Sequence, residues 1–146
     1  MRIALLALIC AGIVSLSAQP EKADPLPDHL FILQNLQKLS QQKRYGDILD
    51  CMSADYRNAV SREHWIKQSE SLGWVMTKAR LGTFTVNGNF ADASVRCDTV
   101  IGTRVIHIEA VAYFVREGGA WKFWNFPFVP MEIPDRLSWP PPFTQP

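Results

Sequence analysis

The hydrophobic pattern changes period once, near Val75, and that change constrains the fold more than any other feature of the chain. Before it, "DHLFILQNLQKLSQQKRYGDILDCMSADYRNAVSREHWIKQSESLG" repeats apolar residues at three- and four-residue steps. Leu30, Leu33, Leu36 and Gln37 form one stripe, and Tyr45, Ile48, Leu49 and Met52 another. We expect three helices here. Asp28 caps the first, Gly46 marks the break before the second, and Ser61 and Gly73 bracket the third.

After Val75 the period is two, and glycine-containing pairs at Asn87-Gly88, Gly102-Thr103 and Gly118-Gly119 divide the rest into four strands. Helices followed by an antiparallel meander make an α+β domain. A two-residue Gly102-Thr103 loop sets Asp98 opposite His107, Arg96 opposite Glu109 and Ser94 opposite Val111. The other face then matches Cys97 with Ile108, Val95 with Ala110 and Ala93 with Ala112. Complementary charges meet on one face and apolar side chains on the other, and a slip of one residue breaks both patterns. The same parity across Gly118-Gly119 turns Phe114, Phe123 and Asn125 inward and Val111, Tyr113, Val115, Trp124 and Phe126 outward. The first hairpin is open: one register buries Phe84 and Arg80, the other buries Leu81, Thr83 and Thr85 with Arg80 outside.

The ends of the 146-residue chain have another character. Met1-Arg2, an apolar run from Ile3 to Val14 and "SLSA" read as a signal peptide over residues 1–18, cleaved after Ala18. The run is shorter than the roughly 20 residues that span a bilayer, so no stable membrane insertion is expected after cleavage. Residues 19–27 form a leader, and residues 129–146, "VPMEIPDRLSWPPPFTQP", a Pro-rich tail. Localisation is expected to be periplasmic or secreted. The net charge is +1 with Lys and Arg dispersed, which leaves no footprint for nucleic acid.

Helices joined by "SADYRNAVSREHW" and a meander ending in "GGAWKFWNF" resemble the nuclear transport factor 2-like superfamily, a cystatin-like fold, over about residues 28–128. The stretch "DYRNAVSREHWIKQSESLGWVMTKARLG" is similar to small exported bacterial members of unassigned function. The resemblance implies three N-terminal helices packed in the concave face of a curved four-stranded antiparallel sheet, forming a cone. Family enzymes such as ketosteroid isomerase set a carboxylate base and a tyrosine inside that cone. Here the inward positions of the middle strands are Ala91, Ala93, Val95, Cys97, Ile108, Ala110, Ala112 and Phe114, none of them a proton-transfer group at neutral pH.

No nucleophile with its base, phosphate loop, metal motif or cofactor motif stands out. His107, Glu109 and Tyr113 share a strand face, but Asp98 and Arg96 complement the first two across the ladder. We therefore name no catalytic residue. The inward alanines either admit a close-packed helix or leave a cavity, whose lining would be Phe114, Trp121, Phe123, Asn125 and Tyr56 and whose occupant a small apolar ligand. Cys97 alternates with Val95 and points inward, and Cys51 lies one turn from Ile48 beside the buried stripe. In an exported chain a disulfide is expected between them, the alternative being two separate buried thiols. The outward residues Val111, Tyr113, Trp124 and Phe126 form an apolar patch needing cover. The tail is one candidate cover. The resemblance supplies the other, since family members commonly form homodimers through this face. The reading is an exported, non-catalytic ligand-binding or protein-interaction domain. The alternatives are an isomerase- or lyase-type enzyme using Tyr56, Asp55 or Asn125, and a structural subunit of an envelope assembly.

Overall fold

The computed structural model describes residues 28–131; the expected signal peptide, the leader and residues 132–146 of the tail lie outside the described residues. Four helices precede four strands: α1 (Asp28–Gln41), α2 (Tyr45–Asp50), α3 (Ala54–Ala59), α4 (Arg62–Leu72), then β1 (Val75–Asn87), β2 (Phe90–Ile101), β3 (Arg104–Glu117) and β4 (Ala120–Phe123). The strands form one antiparallel sheet in the order β1-β2-β3-β4. The α+β class and the order of its parts are those expected.

The helix count is corrected from three to four. Ser53 divides the expected second helix, because its hydroxyl accepts from Tyr56 N at 3.2 Å and caps α3. Its own N–H donates to Phe123 O at 2.7 Å, which pins the break to β4. Gly46 lies inside α2 and is not the break. The chain turns before it, at Lys43, whose φ of 54° is left-handed. Ser61 caps α4 and Gly73 ends it with a φ of 59°, as expected.

Every expected pair of the second hairpin is present, from Asp98 with His107 to Ala93 with Ala112. The third hairpin likewise pairs Phe114 with Phe123. The first hairpin combines features of both registers. Asn87 pairs with Phe90, so the loop is Gly88-Asn89 and not Asn87-Gly88. Two bulges then shift β1 against β2, one between Leu81 and Phe84 and one between Thr77 and Arg80. Phe84 faces Ala93 and Leu81 faces Val95, while Arg80 is exposed opposite Arg96. Each bulge lets β1 bend and keep its apolar residues on the inner side. Gly82 sits in the first, where a Cβ would lie 2.1 Å from Ser94 Oγ. Lys78, with a φ of 53°, sits in the second.

The helices cover the inner face. Leu33, Leu36 and Leu39 of α1, Tyr45, Ile48 and Leu49 of α2, and Trp65 of α4 join Ala91, Ala93, Val95, Ala112 and Phe114 in one core. Polar side chains of α1 serve β1 directly: Ser40 Oγ accepts from Met76 N at 2.9 Å and Gln37 Oε1 from Ala79 N at 2.8 Å. Among the described residues no helix is long and apolar enough to cross a membrane.

Cys51 and Cys97 are free thiols, which corrects the expected bridge. Cys51 O accepts from Phe123 N, and Phe123 is linked through Phe114 to Ala91. Cys97 lies six residues further along β2, roughly 20 Å at the rise of a strand. Disulfides need Cα atoms within about 7 Å.

Candidate functional site

Phe114, Phe123 and Tyr56 are buried, at 0%, 0% and 3% exposure, so three expected pocket residues do face the inside. They do not line an open space. Phe84, Phe114 and Phe123 pack in sequence as tilted rings with centroid distances of 5.1 and 4.9 Å. Phe128 follows at 5.5 Å from Phe123, Phe126 at 5.4 Å from Phe128, and Trp74 at 5.6 Å from Phe126. Trp121 closes one end against Phe84 at 5.4 Å, and Tyr45 the other against Trp74 at 5.2 Å. Small side chains at Ala91, Ala93 and Ala112 leave depth for this row of rings. The cone is filled by its own chain.

The filling comes from a segment whose course alternation does not foretell. β4 ends at Phe123, and Trp124 N still donates to Tyr113 O at 2.7 Å. Then Asn125 takes over the ladder with its side chain. Its Oδ1 accepts from Tyr113 N at 2.8 Å, and its Nδ2 donates to Val111 O at 3.0 Å. The amide therefore stands in for a peptide group and is no handle for a ligand. Pro127 cannot donate to a ladder, and the chain crosses the inner face instead. Phe128 O accepts from Thr99 Oγ1 at 2.5 Å, and Met131 Sδ lies 4.0 Å from Ser69 Oγ of α4. Phe126, expected outside, is thus turned inward onto Trp65 and Trp74, which corrects its assignment to the interface. The crossing aromatics Phe126 and Phe128, with Trp74, were missed as core. Pro127 after a short strand is the signal that marks the departure.

Of the other outward residues, Val111 is 43% exposed, Tyr113 is half-buried and Trp124 is only 5% exposed. Asp55 is exposed on α3. Tyr56 accepts from Trp65 Nε1 at 3.3 Å, and burial pushes its hydroxyl up, with the indole bond opposing. Tyr45 is pushed up by burial and by Glu70, and it donates to Trp74 O at 2.9 Å. Burial also raises the Cys51 and Cys97 thiols. Each of these groups holds its proton more firmly than usual, the opposite of what a base or nucleophile needs. On the outer face Asp98 contacts His107 Nδ1 at 2.5 Å and Lys78 Nζ at 3.1 Å. Those hydrogen bonds, His107 first, hold its carboxyl below the usual value.

Among the described residues, one open concavity shares Trp121 with the expected pocket. A groove of about 320 Å³ runs between α1 and the β3–β4 turn, lined by Phe31, Ile32, Asn35, Cys51, Gly119, Ala120, Trp121 and Lys122. Trp121, 8% exposed, faces the filled interior on one side and floors this groove on the other. Phe31 stands at its rim, 61% exposed. Lys122 Nζ reaches back to Asp50 O at 3.0 Å.

No protein-family model and no curated protein matches the sequence. Solved structures do match in shape. A SEC-C motif containing protein from Rhodopseudomonas palustris superposes with a TM-score of 0.54 at 12% identity, over 67% of this chain and 76% of that one. A five-substitution variant named Rd1NTF2_05 gives 0.50 at 14% identity, over 65% of this chain and 90% of that one. At such identity the likeness is one of fold alone, and it agrees with the curved sheet and packed helices of a nuclear transport factor 2-like arrangement.

Proposed function

We propose that this chain is a non-catalytic interaction domain of an exported protein, and that it recognises a protein or peptide segment in the groove between α1 and the β3–β4 turn. The row of rings from Trp121 to Tyr45 carries this reading, because it occupies the space where a cone enzyme or carrier would hold its small molecule. Small-ligand sites enclose most of their occupant. The groove is open along its length and offers apolar contact at Phe31, Ile32 and Trp121 with one cation at Lys122. That suits an apolar segment carrying a carboxylate nearby. Export rests on the reading of residues 1–18 as a cleaved signal peptide, with residues 28–128 as the working domain.

The groove is tested by titrating the mature protein with 1-anilinonaphthalene-8-sulfonate, an apolar anion, and following backbone amide shifts. The expected perturbations centre on Phe31, Ile32, Asn35 and Trp121 and vanish in the Phe31→Asp variant. Shifts centred on Phe114, Phe123 and Phe128 would return recognition to the interior and defeat the proposal.

A further inference from the structure

The groove beside α1 has sheet backbone along one side, and the parity of β4 decides which groups face it. In an antiparallel ladder, residues that exchange both backbone bonds alternate with residues that exchange neither. Trp124 N donates to Tyr113 O, so Phe123, one residue earlier and opposite Phe114, is of the second kind. Its N–H and C=O point away from β3 and meet the segment that follows α2. Phe123 N donates to Cys51 O at 3.0 Å, and Phe123 O accepts from Ser53 N at 2.7 Å. This parallel bridge between Met52 and Phe123 is a fifth strand one position long. Trp121 lies two residues before Phe123 and opposite Arg116, so its N–H and C=O point the same way. The chain that would have met them is coiled into α2, which ends at Asp50. Among the described residues no backbone group pairs with Trp121 on that side. Cys51 and Trp121 both line the groove, so the open edge begins where the fifth strand stops.

We infer that the groove takes its partner as an extended strand, paired main chain to main chain with Trp121 in line with residues 51–53. The inference rests on the groove being the recognition site and specifies the form of what binds there. A sheet edge with free N–H and C=O groups is a template for such addition. The edge is held in place before binding: Trp121 packs on Phe84 at 5.4 Å, and the Arg116 guanidinium lies 5.0 Å from its ring. Little ordering is then left to oppose association. At Gly119, also in the lining, even an added Cβ would meet nothing within 4 Å, so a second backbone has room to approach. α1 forms the opposite wall, which keeps out the edge of another sheet and offers Phe31 and Ile32 to alternate side chains of a single strand. Lys122 is the one charged residue among the described lining, so a carboxylate beside the apolar residue completes the match.

The test selects binders to the protein from a random peptide library displayed on phage and synthesises the best of them. Amide exchange in isotope-labelled protein reads one side of the contact. An amide-to-ester scan of the peptide reads the other, since an ester cannot donate. The inference expects the Trp121 amide to exchange about tenfold more slowly, or slower still, with peptide bound. One ester, at the residue donating to Trp121 O, should weaken binding about fivefold or more, while esters at its two neighbours change little. Lys122→Ala should weaken an acidic peptide and leave its amide counterpart unchanged. A peptide that perturbs Phe31 and Ile32, yet leaves Trp121 exchange unaltered and gives a flat ester scan, overturns the strand while the groove reading stands. No selected peptide, or one that binds away from Phe31 and Ile32, defeats the groove reading and this inference with it.

Discussion

Replacing Phe128 by alanine removes the side chain that joins the crossing segment to the sheet. Phe128 is 0% exposed and has two edge-on aromatic neighbours, Phe123 at 5.5 Å and Phe126 at 5.4 Å. Such edge-on pairs each contribute about 0.5–1.5 kcal/mol beyond area burial. With the transfer and cavity terms, a buried Phe→Ala change costs about 3–5 kcal/mol. The backbone bond from Thr99 to Phe128 O survives the change, so the loss falls on the ring. In a domain near 100 residues about 4 kcal/mol lowers Tm by roughly 15–30 °C. Urea unfolding followed by circular dichroism measures it, with Phe31→Ala as the control. Phe31 is 61% exposed, and its loss should cost no more than about 0.5 kcal/mol. The vacated space is apolar and should take up benzene, raising the Tm of the variant but not of the parent. A cost below about 1 kcal/mol for Phe128→Ala would refute the reasoning, because the segment would then be a detachable strap and not part of the core.

Other changes probe separate links. Asn125→Ala leaves Tyr113 N–H and Val111 C=O without their amide partner, and a loss of about 1–3 kcal/mol is expected from urea midpoints; an effect near zero would show that the amide does not carry the ladder. Asp98 has a folded pKa below its ordinary 3.8, so its pairing stabilises the fold above that pH and is lost as pH falls through the lowered value. The stability gap between the parent and Asp98→Asn should therefore be constant near neutrality and close in acid; a gap independent of pH down to about 2 would contradict the pairing. Both thiols should react slowly with a thiol reagent in the folded protein, because burial raises them, and both should titrate after unfolding without reductant; no reactive thiol in the unfolded chain would mean they are joined.

The middle hairpin is legible in the sequence because three signals agree there: a glycine turn, complementary charges at Asp98–His107 and Arg96–Glu109, and alternating small apolar residues. The first hairpin is not, because no single register describes it. Bulges at Lys78 and Gly82 each change the parity, and a Cβ at Gly82 would force the Ser94 hydroxyl to move. Gly82 inside an alternating run is the one hint. Helix boundaries fail at Gly46 for a related reason. Glycine is a breaker by propensity, but Lys43 makes the left-handed turn and Gly46 stays in α2, where a Cβ would lie 3.2 Å from the Arg62 guanidinium and 3.5 Å from Ile66 Cδ1. The aromatic stretch "WKFWNFPF" is misread past Asn125, where a side-chain amide replaces the strand and Phe126 loses the parity that would have put it outside. Phe114, Phe123 and Tyr56 are buried positions whose rings pack against other rings, and whether a concave face is empty depends on where a distant segment ends up.

Xenon-pressurised diffraction from crystals of the protein tests the filled interior most directly. Xenon enters apolar cavities and displaces nothing that is well packed. The account predicts no xenon between the inner face at Ala91, Ala93 and Ala112 and the rings of Phe123, Phe126 and Phe128. An occupied xenon site there would mean the cone is open, and recognition would belong inside it.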